Sequence, residues 1–482
     1  MTAIDRSRLP IPGPDPAFRF PVVRRRTLSN GLQVRTVEHR GVPVVSFLLL
    51  LSSGAAADPA SLPGLAALTA DMLDEGSGPM SALDIEDALS SIGAQLETEV
   101  GSDATVLSLL TLPRFAGQAL SLLADIVVRP RLAIEDFDRV RDLRLNRLRQ
   151  LRDLAPAVAD LVFARVLYGA HPYGRLPIGT MRGLEGASAA DVQAFHAGAW
   201  RPSQVTVVAV GDASHDELVA GVERAFEGWA EATPGADSAG AAPVAAVAAP
   251  APAQPSAPLV LVDRPGAAQS ELRIGQVAVP RLTPDYYALL VLNTILGGQF
   301  VSRLNMNLRE DKGYTYGVRS GFEFRRAPGP FSVQAAVQTA VTADAVREVL
   351  GELNAIRGTR PATPPELELA QSALTKGYAR SFETAGQIGR GLAQLALYGL
   401  PDDTLERFVP CIHEVDIAAV TAAAERLDLS RMTVTVVGDR EKIEQGLAGL
   451  GLGAPARPRA HGGGGRGRPR ARGRGPGRPR PR

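Results

Sequence analysis

The chain has 482 residues, of which 45% are hydrophobic and 21% charged, an ordinary globular balance with length enough for two to four domains. Cys411 is the one cysteine, which excludes an intrachain disulfide and reads as a small buried apolar residue; no apolar run suits a signal-peptide core or a membrane span, so the expected location is cytoplasmic. The formal net charge of +1 conceals an asymmetry, because residues 457–482 carry ten arginines and no acid, leaving 1 − 10 = −9 for the rest.

In chain order, residues 1–25 read as an extension with prolines at 10, 12 and 14. Period-two patterns and short apolar runs predict strands at 33–37, 44–51, 94–100 and 105–112, and period-3.6 patterns predict helices at 64–74, 82–91, 135–152 and 157–167. The run from Val44 to Leu51 is apolar except for Ser46 and suits a buried strand. A last strand and a closing helix complete a first half over 26–232. Residues 233–258, dominated by Ala and Pro, read as a semi-extended linker. A second half over 259–453 repeats the order of elements. Residues 454–482 are rich in Arg, Gly and Pro and cannot bury enough surface to offset their ordering entropy, so a disordered tail is expected. Such a tail has the charge for weak contact with an acidic partner or nucleic acid, although no nucleic-acid-binding motif accompanies it.

The two halves echo one another. VTVVAVGD at 205–212 is matched by MTVTVVGD at 432–439, and LYG at 167–169 by LYG at 397–399, at offsets of 227 and 230. That order and spacing imply an internal duplication. Segregated strand and helix runs predict an α+β fold: two homologous sandwich halves, each a mainly antiparallel sheet with helices packed on it.

The segment LPGLAALTADMLDEG, residues 62–76, resembles the metal-site helix of the pitrilysin/insulinase family of zinc peptidases, the inverzincins, in which an inverted H-x-x-E-H places two zinc-binding histidines and a water-activating glutamate on one helical face. The histidine positions here are Ala67 and Asp71, and the glutamate position is Ala70. A methyl group offers no lone pair. The family's third ligand comes from a later helix, matched by LRLNRLRQLR at 143–152, which contains no acid. His39, His171, His196, His215, His413 and His461 show no ligand spacing and read as surface or capping residues. Gly93-Ala94 with Asp103, His171-Pro172-Tyr173-Gly174 and Val210-Gly211-Asp212 also resemble family features.

Residues 292–324, LNTILGGQFVSRLNMNLREDKGYTYGVRSGFEF, strongly resemble the family's Gly-rich turn, Ser-Arg-Leu helix and Leu-Arg-Glu…Gly-x-x-Tyr segment. The resemblance implies that Arg309 and Tyr316 reach a substrate carbonyl at a zinc site, where a guanidinium and a phenol can donate hydrogen bonds to the developing oxyanion. Read alone, Arg309 would pair with Glu310 or Asp311, and Tyr314, expected on the same strand face as Tyr316, would pack.

The resemblance therefore implies a clam-shell of processing-peptidase-like halves with no metal in this chain. It is similar to the zinc-free subunit of two-subunit enzymes such as mitochondrial processing peptidase, with zinc in a homologous partner and unfolded peptide as the ligand. In the family, peptide adds as a strand to a sheet edge, matched here by 94–100, where Glu97 replaces an asparagine common in active members. The alternative is an inert scaffold with the same fold, as in the core proteins of respiratory complex III.

Overall fold

The computed structural model describes residues 18–230 and 255–457. Most of the linker and the arginine-rich part of the tail lie outside the described residues. The first half contains strands β1 (Arg24–Thr27), β2 (Gln33–Glu38), β3 (Val45–Leu51), β4 (Gln95–Val100), β5 (Thr105–Thr111) and β6 (Val205–Gly211). Its helices are α1 (Leu65–Asp71), α2 (Ala82–Ser91), α3 (Ala116–Val128), α4 (Ile134–Arg152), α5 (Ala155–Tyr168), α6 (Met181–Gly186), α7 (Ala189–Ala199) and α8 (His215–Ala225). The second half contains β7 (Leu259–Asp263), β8 (Gln269–Val277), β9 (Thr315–Phe322), β10 (Pro330–Gln338) and β11 (Thr433–Gly438). Its helices are α9 (Tyr286–Asn293), α10 (Thr342–Ala355), α11 (Pro364–Thr375), α12 (Ala385–Tyr398), α13 (Phe408–His413), α14 (Ile417–Ala424) and α15 (Arg440–Ala448).

The two large sheets run β1-β2-β6-β3-β5-β4 and β7-β11-β8-β10-β9, and a short antiparallel pair joins Gly76–Ser77 to Met80–Ser81. Apart from β1 the two orders correspond strand for strand, and each large sheet has one parallel pair at the same place, β2 with β6 and β7 with β11. The other pairs are antiparallel. This is the expected α+β architecture in two like halves.

One expectation needs correction. The helix predicted at 157–167 does not pack on the sheet of its own half. As α5 it lies across β8 and β11 of the second sheet, and its counterpart α12 lies across β3 and β6 of the first. The apolar patterns explain this exchange. Every residue of β3 is buried: Phe47, Leu49 and Leu51 enter the first core with α1, α3 and α7, whereas Leu48 and Leu50 meet Ile388, Leu392 and Leu395 of α12. A strand covered on both faces has no reason to alternate. In the second half, Phe163 and Leu167 of α5 pack with Val277, and buried Arg273 on β8 donates to Asp160 on α5 at 2.6 Å.

Smaller departures have local causes. The helix predicted at 64–74 ends at Asp71, followed by a tight turn over Leu73–Glu75. Residues 454–457, assigned to the tail, are tied down: the Ala456 N–H donates to the Leu259 carbonyl at 2.9 Å and the Leu261 N–H to the Ala456 carbonyl at 3.0 Å. Cys411 is half-buried rather than enclosed; His171 and His215 are buried rather than at the surface, although His171 does act as a cap, its Nδ1 accepting the Tyr173 N–H at 3.1 Å. No described helix is long and apolar enough to cross a membrane.

Candidate functional site

Helix α1 is set by its first turn. Gly64 sits at φ 104° with the Gly179 backbone against it, so a side chain there would be strained and would collide. The buried Asp58 carboxylate accepts from the Gly64 N–H at 2.6 Å and the Ala66 N–H at 2.7 Å, satisfying two of the donors a helix start leaves over. Burial pushes the Asp58 carboxyl up to about 6, against the pull of those amides and of Arg175 and Arg144.

Leu65, Leu68 and Met72 point into the first core. Ala67 and Ala70 are buried outside that cluster, and Asp71 ends the helix. Its carboxylate forms an ion pair with Arg144 on α4, which lies in the stretch matched to the third ligand. The Arg144 side chain is 11% exposed and that of Asp71 42%. Arg144 also donates to the Pro177 carbonyl at 3.1 Å.

In the second half, α9 continues into a π-helical turn, Thr294–Gly298, and a second one, Met306–Asp311, leads towards β9. Polar side chains pin this irregular backbone. The Asn305 amide donates to the Val318 carbonyl at 2.8 Å and accepts the Val318 N–H at 2.9 Å. The Ser320 hydroxyl donates to Asn293 at 2.8 Å, and a Cβ on Gly297 would lie 2.6 Å from that hydroxyl oxygen. Arg303 grips Glu366 with two bonds of 2.6 and 2.7 Å. Burial would raise the Glu366 carboxyl, but the Arg303 and Thr363 hydrogen bonds outweigh it and hold the group at about 2.

Arg309 lies on the second π-helical turn with its guanidinium 4.0 Å from the centre of the Phe300 ring, a favourable cation–π distance, and its Nε 3.6 Å from the Glu310 carboxylate. The expected Glu310 pairing is present but long. Tyr316 sits where the register between β9 and β10 shifts, between Thr315 and Val318. The Thr315 hydroxyl stabilises that bulge by donating to the Ala336 carbonyl at 2.6 Å and accepting the Gly317 N–H at 3.1 Å. A bulge re-aims a side chain. Tyr316 is 92% exposed, whereas Tyr314 packs against the second core, so the expectation that the two share a face is corrected. The structure brings Arg309 and Tyr316 onto one segment; no described hydrogen bond, ion pair or ring contact joins them to α1.

Asp103 and the His171–Gly174 stretch resemble family features that carry no role in the sequence alone. They couple the halves. The buried Tyr173 hydroxyl donates to Asp103 at 2.6 Å and accepts the Ala327 N–H at 3.1 Å, while the Arg326 N–H donates to the other Asp103 oxygen at 2.9 Å. Burial and the neighbouring carboxylate push the Tyr173 hydroxyl above its ordinary value, which keeps it a donor.

A family profile described as Insulinase (Peptidase family M16) matches residues 34–175, and one described as Peptidase M16 inactive domain matches 186–374. The chain belongs to peptidase family M16. An uncharacterized zinc protease of Mycobacterium leprae is 28% identical to this M16 chain over 432 residues, 88% of this chain and 93% of the relative. The crystal structure of a peptidase M16 inactive domain from Pseudomonas fluorescens aligns with a TM-score of 0.78 at 27% identity, covering 86% of this chain and 98% of that one. A Schizosaccharomyces pombe protein named as a mitochondrial-processing peptidase subunit beta is 24% identical over 207 residues, 43% of this chain and 45% of that protein.

The zinc in the mycobacterial relative's name raises the question of whether this M16 chain has donors for it, and at α1 it does not. Two of the three matched side chains end in methyl groups and the third is engaged by a guanidinium. Among the described residues no group of three His, Cys, Asp or Glu side chains is arranged to hold a metal ion.

Proposed function

We propose that this M16 chain is the zinc-free subunit of a heteromeric metallopeptidase: it binds unfolded peptide and supplies Arg309 and Tyr316 to the active site of a homologous zinc-bearing partner. One observation carries the reading. Tyr316 stands 92% exposed on a built bulge, its hydroxyl without a hydrogen-bond partner among the described residues, and the rest of the segment is pinned as if to present it. A core aromatic would not be held this way. Sheet edge β4 supports the peptide half of the reading, since among the described residues it pairs only with β5 and leaves main-chain groups for an added strand; Gln95, Glu97 and Glu99 on it are exposed.

In this assembly the partner's metal would polarise the scissile carbonyl, and this chain's guanidinium and phenol would donate to its oxygen as negative charge develops. The test is cleavage of a flexible peptide by the purified chain mixed with a homologue that carries an intact H-x-x-E-H. Arg309→Ala and Tyr316→Phe should each slow turnover about 10²–10³-fold with little effect on peptide affinity. Unchanged turnover in both variants would leave the scaffold reading in its place.

A further inference from the structure

The absent metal ligands leave a question of charge at the α1–α4 junction. We infer that Arg144 is the resident cation of this junction: its guanidinium joins the two helices as a metal would, and it bars zinc even from a restored set of α1 ligands. The inference is independent of any partner subunit.

Three observations lead there. The first is position: Arg144 lies on the helix matched to the third ligand, and its side chain meets Asp71, which is matched to the second histidine. A single positive group thus bridges α1 and α4. The second is burial. At 11% exposure the guanidinium is largely out of water, and its charge is met by Asp71, by the Pro177 carbonyl at 3.1 Å and by the field of the nearby buried Asp58. Its Nε has no partner among the described residues. The third is chemistry. Arginine stays protonated in proteins, so it cannot yield to an incoming dication by losing a proton, as a histidine or lysine could. Two like charges this close in a poorly solvated site repel strongly.

It follows that the loss of zinc here is not reversed by rebuilding α1 alone. The experiment compares zinc binding by competition with a chromogenic chelator. The triple variant Ala67→His/Ala70→Glu/Asp71→His keeps Arg144 and should bind zinc no better than the native chain. Adding Arg144→Met to it, which removes the cation without supplying a ligand, should tighten binding about 100-fold or more. Stoichiometric zinc in the triple variant, or no gain on replacing Arg144 in a chain shown folded by circular dichroism, overturns the inference. A second arm leaves the alanines in place. Arg144→Met should lower Tm by about 2–4 °C, and Asp71→Asn in the same chain should recover part of that loss, because it removes the carboxylate left unpaired. Purely additive effects of the two substitutions overturn the inference even if the α1 variants fail to fold.

Discussion

The same five-strand frame occurs twice in this chain, and the copies differ in the helix and edge strand that follow the third position of the frame. In the first copy, α1 is short and alanine-rich, closed by Asp58 at its start and by Arg144 at its end. In the second, α9 runs into two π-helical turns whose backbone is pinned by Asn305, Ser320 and Arg303. Both arrangements are well anchored, but to opposite ends. The first copy's polar groups are consumed internally, so nothing ionic on α1 is left for a ligand. The second copy's polar groups hold the backbone and leave the tips of Arg309 and Tyr316 reachable. A duplicated fold can thus be anchored in each copy by a different set of polar pairs without loosening either.

The contrast can be broken most severely in the second copy. Asn305→Ala removes both bonds to Val318 and strands a buried carbonyl and amide, so it should cost about 2–3 kcal/mol in denaturant unfolding and speed proteolysis near Tyr316. In the first copy, Asp58→Ala leaves the amides of Gly64 and Ala66 unsatisfied, at about 1–2 kcal/mol. Its pH dependence has a distinct sign. The folded carboxyl titrates at about 6 against an ordinary 3.8, so the folded chain takes up a proton first, and stability from this group grows as pH falls through that window. The margin of the native chain over Asp58→Ala should therefore widen between about pH 6 and pH 4. Glu366 behaves oppositely and more weakly. Held at about 2 against an ordinary 4.5, it contributes stability above the higher value that is lost as pH falls towards the lower one. Its side chain is 30% exposed, so solvent screening should limit the difference between the native chain and Glu366→Gln to about 1 kcal/mol, measured as a margin that shrinks below about pH 4.5.

Much of the frame was legible because a strand buried on both faces writes itself as a nearly continuous apolar run, as β3 does. The duplication was legible from two short echoes, and the strand orders repeat as those echoes imply. The destination of α5 and α12 was not legible: an apolar helical stripe tells that a helix is covered, never which sheet covers it. The predicted pattern does not mark α3, α6 and α7, and it overruns the end of α1 because Leu73 and Asp74 continue it past the point where the backbone turns. The chemical types at 67, 70, 71, 309 and 316 could be read directly. What binds them could not. Arg144 and Asp71 are 73 positions apart, a pairing that only the fold brings together, and the bulge that turns Tyr316 outward depends on a register slip that no residue spacing announces.

The exchange of α5 and α12 has a further meaning for how such a chain can vary. Each half borrows the cover for one face of its sheet, so neither is a self-sufficient module, and a gene broken within residues 233–258 would yield two sticky fragments rather than two small proteins. Inheritance of the halves is thereby yoked together. The copy with alanines at two of its matched α1 positions must still be kept, because its sheet is the wall on which the other copy's helix is built.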